Sequence, residues 1–235
     1  MSTNSFFSKL LRFVGIVLMA MTGGFTLLGG VGTTCVALNP KGFGASMAPL
    51  APFQWLYILF VLAGITLGAF GIRATIMLIK GADKSYRDAL YVLIAGVVVG
   101  FLHIAVSRAL RGKSMPVDAV VYTTLLTLVI FLLFKIPSIW QGVDFVKAKA
   151  SDNKKAGGAV AIVLGLLMLS IQSTMASTHT WGGVNYADAF NTAMTMIGFG
   201  LLFLGAGIWS MASLADTLTG TDGPLVNRES ARIQS

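Results

Sequence analysis

Phe53–Lys80 reads FQWLYILFVLAGITLGAFGIRATIMLIK. Twenty residues, Phe53 to Ile72, pass without a charge before Arg73, and the run closes on Lys80. A helix rises ~1.5 Å per residue, so this run matches the ~30 Å hydrocarbon core of a bilayer. Gln54, Trp55 and Tyr57 stand at one end, where amphipathic side chains meet the membrane–water boundary. Gly64, Gly68, Gly71 and Thr75 recur at intervals of four, three and four, which puts them on one helix face. Small residues on one face let another helix approach closely, so the stretch predicts a membrane span with a packing side.

Five more runs resemble it: Phe13–Leu38, Asp88–Ser107, Val117–Trp140, Ala156–His179 and Ala187–Ala215. The chain of 235 residues is 55% hydrophobic and 11% charged, with a mean hydropathy of +0.80. Soluble domains carry ~25% charged residues, so lipid is the solvent for most of this chain. Unpaired backbone amides are costly in lipid and no barrel-like alternation is present, so the predicted fold is all-α. The expectation is a polytopic integral membrane protein with six transmembrane helices in one domain, residues 1–215, followed by a mobile cytoplasmic tail, 216–235. Lys9 and Arg12 ahead of an apolar run resemble a secretory signal, but the uncharged run from Phe13 to Pro40 far exceeds an h-region of ~7–15 residues. It is read as a retained first span.

The net charge of +8 does not point to nucleic acid, because the basic residues lie between apolar runs and form no long basic face. They serve as topology signals. With the N-terminus cytoplasmic, eleven basic residues fall inside (Lys9, Arg12, Lys80, Lys84, Arg87, Lys147, Lys149, Lys154, Lys155, Arg228, Arg232) and four outside (Lys41, Arg108, Arg111, Lys113). The expected location is a bacterial plasma membrane with both termini cytoplasmic. Asn39 to Pro52, with Pro40, Pro49, Pro52 and two glycines, reads as a loop without helix. Cys35, the one cysteine, cannot form an intramolecular disulfide and reads as a small buried hydrophobe.

The even spans end alike, in Gly71-Ile72-Arg73-Ala74, Lys135-Ile136-Pro137-Ser138 and Gly207-Ile208-Trp209-Ser210. Asp118-Ala119 and Asp188-Ala189 open the fourth and sixth, where a carboxylate suits the positive helix end. These matches suggest three tandem helical hairpins. In outline the chain resembles the HdeD-like acid-resistance membrane proteins, also three hairpins, through Asn39-Pro40, Gly71-Ile72 and Gly207-Ile208. No Asn-Pro follows the third or fifth span, and the likeness extends to topology and those six residues, without a function.

Small-residue faces recur throughout. The first span has Thr22, Thr26, Gly29 and Thr33, with Gly23 and Gly30 alongside; the third has Gly96, Gly100, His103 and Ser107. The fifth has a heptad line of Gly158, Gly165, Gln172 and His179, and the sixth has Gly198, Gly205 and Ala212. These are expected helix-packing faces, against one another or against a partner. His103, Gln172 and His179 are the intramembrane polar candidates. The bland reading of His103 is a neutral imidazole bonded to a neighbour. A haem held by His103 and His179 would need ligands at one depth, yet they lie ~22 Å and ~31 Å from their inner helix ends. Arg73 and Lys135 sit near the inner ends of their spans, so both can reach lipid headgroups, by snorkelling or as a cationic collar for phosphate.

No Asp or Glu falls mid-span, and no nucleotide loop or nucleophile–base pair is present. The expectation is therefore a protein that is not an enzyme and has no cofactor or metal. It would be a non-catalytic membrane subunit or scaffold, with lipids, other membrane proteins or further copies of itself as partners. A channel or facilitator for a small neutral or anionic solute, and a haem- or quinone-associated anchor, are the alternatives.

Overall fold

In the computed structural model the protein is all-α, and residues 3, 5–148, 150–175, 180–181 and 183–221 are described. The helices are α1 (Phe6–Leu38), α2 (Gln54–Lys80), α3 (Ser85–Arg111), α4 (Val117–Phe134), α5 (Pro137–Val143), α6 (Ala150–Met175), α7 (Tyr186–Ala189) and α8 (Asn191–Thr221). Six of them, α1 to α4, α6 and α8, are long and apolar enough to cross a membrane. The one extended pairing among the described residues is a two-residue ladder, β1 (Thr180–Trp181) with β2 (Val184–Asn185). The chain divides into two compact units, Met1–Ala148 and Lys149–Ser235.

In the first unit, α1 to α4 run alternately up and down, and each touches its neighbours in a closed ring, α4 returning to α1. Helix α1 has two buried lines. Gly23 and Gly30 face α2: a methyl on Gly23 would lie 2.8 Å from the Gly71 carbonyl carbon, and one on Gly30 would lie 2.8 Å from the Ile65 nitrogen. Between them, Leu27 fills the space beside Gly68. Backbone thus meets backbone, and the dispersion contact that replaces a hydrophobic driving force in lipid is at its closest. The second line, Gly15, Thr22 and Gly29, faces α4 through Phe134, Thr127 and Val120, a matching heptad. The interior is filled: Ile16, Met19, Leu93 and Phe131 are fully buried.

The helix boundaries follow local chemistry. Ser5 caps α1 by accepting from the Ser8 amide. Gly81 ends α2 in the left-handed region (φ 62°), and the Ala82 amide reaches back to the Met77 carbonyl, closing the helix in four residues before α3. The run expected to span Val117–Trp140 breaks earlier, because Pro137 disfavours helical geometry at Ile136 (ψ 125°); α4 stops at Phe134 and α5 starts afresh. The segment after Asn39 is not free of helix: Pro40–Phe43 and Ala48–Phe53 form 3-10 turns, short enough to tolerate prolines. Asn39 accepts from the Gly42 amide, and Leu50 is buried with Ala37, Tyr57 and Val61. Cys35 is exposed rather than buried, since its position lies outside both packed lines of α1.

In the second unit, α6 and α8 form an antiparallel hairpin. A methyl on Gly158 would sit 2.7 Å from the Gly205 carbonyl oxygen, and one on Gly165 would sit 2.8 Å from that of Gly198. Ala212 is buried on the same side of α8. Helix α8 continues through Thr221, past the tail expected from Asp216, because the Asp216 carboxylate accepts from Ser151 (2.6 Å) and Lys155 (2.7 Å) on α6. Residues 222–235 of the expected tail lie outside the described residues.

Candidate lipid-facing cationic groove

Among the described residues of the first unit, several buried hydroxyls of the spans are satisfied by partners on neighbouring helices. Thr127 donates to the Thr123 carbonyl, so at 2.8 Å the Thr22 hydroxyl is the donor to Thr127. Tyr57 and Ser107 share a 2.7 Å bond between α2 and α3, and Tyr86 donates to the Phe131 carbonyl. Elsewhere on α1, Thr33 bonds its own Gly29 carbonyl, while the Thr26 carbonyl lies 3.8 Å from where a methyl on Gly64 would be. The stripe on α3 splits between two neighbours. Gly96 and Gly100 meet Thr124 and Val121 of α4, whereas His103 and Ser107 face α2.

His103 stacks on Phe60 with centroids 4.3 Å apart and meets the Tyr57 ring edge-on at 5.4 Å. No hydrogen bond holds its imidazole among the described residues; aromatic faces replace the hydroxyl or carbonyl partner expected from the sequence. Gln172 does not point along an intramembrane line: its amide donates to Asp188 in α7, which places it at the end of the hairpin. His179 lies outside the described residues.

The two cationic candidates differ. Lys135 follows the end of α4, and its ammonium lies 5.2 Å from the Tyr86 ring and 5.4 Å from that of Trp140. Two ring faces hold its charge, an interaction of ~0.5–2 kcal/mol. Arg73 is exposed, and no hydrogen bond or ion pair reaches its guanidinium among the described residues. It lines a groove of about 250 Å³ between α2 and α3, together with Phe70, Ala74, Met77, Asp88, Tyr91 and Val92. Asp88 lies 3.5 Å from Arg87, a solvent-exposed neighbour whose guanidinium also lies 5.9 Å over Tyr91.

Arg73 stands out in the sequence as a charge within an apolar run, whereas Asp88 and Tyr91 do not. Their signal was present: α2 and α3 are joined by four residues, so positions counted back from Lys80 and forward from Ser85 face one another at similar depth. At the other end of α3, Arg108 donates to Ser114 (2.9 Å) and Asp118 (3.1 Å), and Arg111 donates to the Ser46 carbonyl (3.2 Å). Ser114 also donates to both oxygens of Asp118. These contacts knit the two loops at that end. Comparison with family models, with curated proteins and with solved structures finds no match, so the chain's own geometry is the basis for any functional reading.

Proposed function

We propose that the chain is a non-catalytic integral membrane subunit, a scaffold whose role is to present packed helices to other membrane proteins or to further copies of itself. The observation that carries this reading is the closed interior of the first unit. Ile16, Met19, Leu93 and Phe131 fill it, and the hydroxyl pairs Thr22–Thr127 and Tyr57–Ser107 satisfy one another instead of lining a wet path. A conduit needs unfilled volume and polar groups turned toward it, and these described side chains between the four helices supply neither.

The glycine faces of α1, α2 and α6 are taken up by helices of their own unit, so they are not the partner surface. Gly200 and Gly207 differ: they lie a heptad apart on α8, and no described residue of their unit comes within 4 Å of a methyl there. Close helix approach is still available at those two positions, which is where a partner helix would dock. The orientation rests on charge. Of the three outer basic residues at the end of α3, Arg108 and Arg111 lie in its last turn and have partners within the chain, so a contact role accounts for them beside the count that favours a cytoplasmic Lys80–Lys84 turn.

Purification of the full chain in mild detergent, with mass spectrometry of what accompanies it, tests the proposal. Partner subunits or copies at fixed stoichiometry, lost on Gly200→Leu with Gly207→Leu, are the expected result. A monomer that carries a small solute across liposome membranes refutes it.

A further inference from the structure

Helix depths give the α2–α3 groove a chemical polarity. Counting ~1.5 Å per residue from the turn, Asp88 lies ~5 Å into α3, Arg73 ~10 Å into α2, and Val92 at the depth of Arg73. Phe70 lies deeper still, at ~15 Å. From the boundary inward the polar lining is therefore a carboxylate and then a guanidinium, with Met77 beside the first, Val92 beside the second and Phe70 beyond both. Asp88 and Arg73 share this groove without an ion pair between them, so each can engage a different charge.

We infer that the groove binds a zwitterionic aminophospholipid headgroup of the leaflet at the Lys80–Lys84 turn, its phosphate on Arg73 and its primary ammonium on Asp88 and the Tyr91 ring. In a phospholipid the phosphate lies deeper than the amine, and the order Arg73 below Asp88 is the same. The ~6 Å axial offset between the two residues suits a phosphate and an amine separated by a two-carbon spacer. Guanidinium is the side chain suited to bidentate phosphate contacts, and Arg73 has its fork unengaged. Half-buried Asp88 pairs at 3.5 Å with Arg87, whose side chain is exposed, a long contact that a lipid ammonium can displace. Phe70 continues the groove into the span, where acyl chains lie. That continuation favours a lipid over free phosphate. The carboxylate, in turn, disfavours an anionic lipid that has no amine.

The test is native mass spectrometry of the full chain in mild detergent with phosphatidylethanolamine, phosphatidylglycerol or phosphatidylcholine of identical acyl chains. Phosphatidylethanolamine should be retained about tenfold over phosphatidylglycerol, with phosphatidylcholine between them because its ammonium has no N–H to donate. R73Q should weaken all three about tenfold, whereas D88N should weaken phosphatidylethanolamine alone and erase its advantage. Both side chains are solvent-accessible, and an unchanged thermal midpoint for each variant shows that the fold is kept. R73K, which keeps the charge without the fork, should bind between the parent and R73Q. Equal retention of the three lipids by the parent, or variants that bind as the parent does, would overturn the inference. Subunit stoichiometry in the pull-down is a separate readout, so this result and the scaffold proposal stand or fall independently.

Discussion

A methyl group at position 68 separates close glycine packing from mere apolar contact. Gly68→Ala would place its Cβ 2.5 Å from both the Cα and the nitrogen of Leu27. Carbon atoms are comfortable at ~3.5–4.0 Å, so α1 and α2 must part by roughly 1 Å. The clash is with backbone, and no rotamer change relieves it. Overpacking of this kind costs about 1–3 kcal/mol. The same separation opens the Gly23–Gly71 and Gly30–Gly64 contacts, where a 0.5–1 Å gap forfeits a quarter to a half of the dispersion well. We expect a loss of ~3 kcal/mol, at the upper end of that range. Gly32→Ala is the matched control. It lies on the same helix pair, nothing stands within 4 Å of its added methyl, and alanine's helix propensity favours it by up to ~1 kcal/mol. Unfolding of each variant by sodium dodecyl sulfate in mixed micelles, followed by far-ultraviolet circular dichroism, measures both. Both substitutions gain that propensity, so the two should differ by the overpacking alone, about 3 kcal/mol or roughly two orders of magnitude in the unfolding equilibrium. If they shift together, or Gly68→Ala shifts by less than ~0.5 kcal/mol, the backbone-contact account of the first unit is wrong.

Other perturbations probe the polar contacts. A double-mutant cycle of Thr22→Val and Thr127→Val should show a coupling of ~1 kcal/mol between α1 and α4, within the range for hydroxyl pairs in lipid; additivity of the two would deny the bond. Asp118→Ala removes the acceptor of Ser114 and Arg108, and should cost ~2 kcal/mol while hastening amide exchange across residues 112–116. Asp216→Ala should cut exchange protection of the last turns of α8 about tenfold and leave the Gly158–Gly205 contact region unchanged, which hydrogen-exchange mass spectrometry would resolve. Lys135→Gln should lose ~0.5–2 kcal/mol and shift the Trp140 emission; an unchanged spectrum would mean the ammonium does not sit on that ring.

The six spans were legible because crossing a bilayer requires only length and apolarity, both of which a linear sequence displays. Which helix each face meets was not. Thr22 and Gly23 are adjacent, and a stripe drawn through either looks like a packing face, yet one bonds to α4 and the other touches α2. A helix with two neighbours needs two lines, and only the three-dimensional ring divides them. The end of α4 was hidden because apolar residues resume at Ile136, Ile139 and Trp140 beyond Lys135, while the proline's effect falls on the residue before it. The partners of His103 are rings 43 and 46 positions earlier, a pairing without any local signature. Asp216 looked like the start of a tail because its anchors, Ser151 and Lys155, lie more than sixty residues away.

The two lines of α1 also set an order of events during synthesis. Its glycine side can dock as soon as α2 has entered the bilayer, because the two are joined by a short segment. Its threonine side must wait for Thr127, 105 residues later, and the buried Arg12 finds the Gly142 carbonyl only across a separation of 130. A nascent chain arrested after α3 would therefore hold a hydroxyl and a guanidinium with those bonds unmade, while the α1–α2 hairpin was already closed. Closure of the ring thus waits for α4, and the arginine's bond waits longer, for the α5 carbonyl that accepts it.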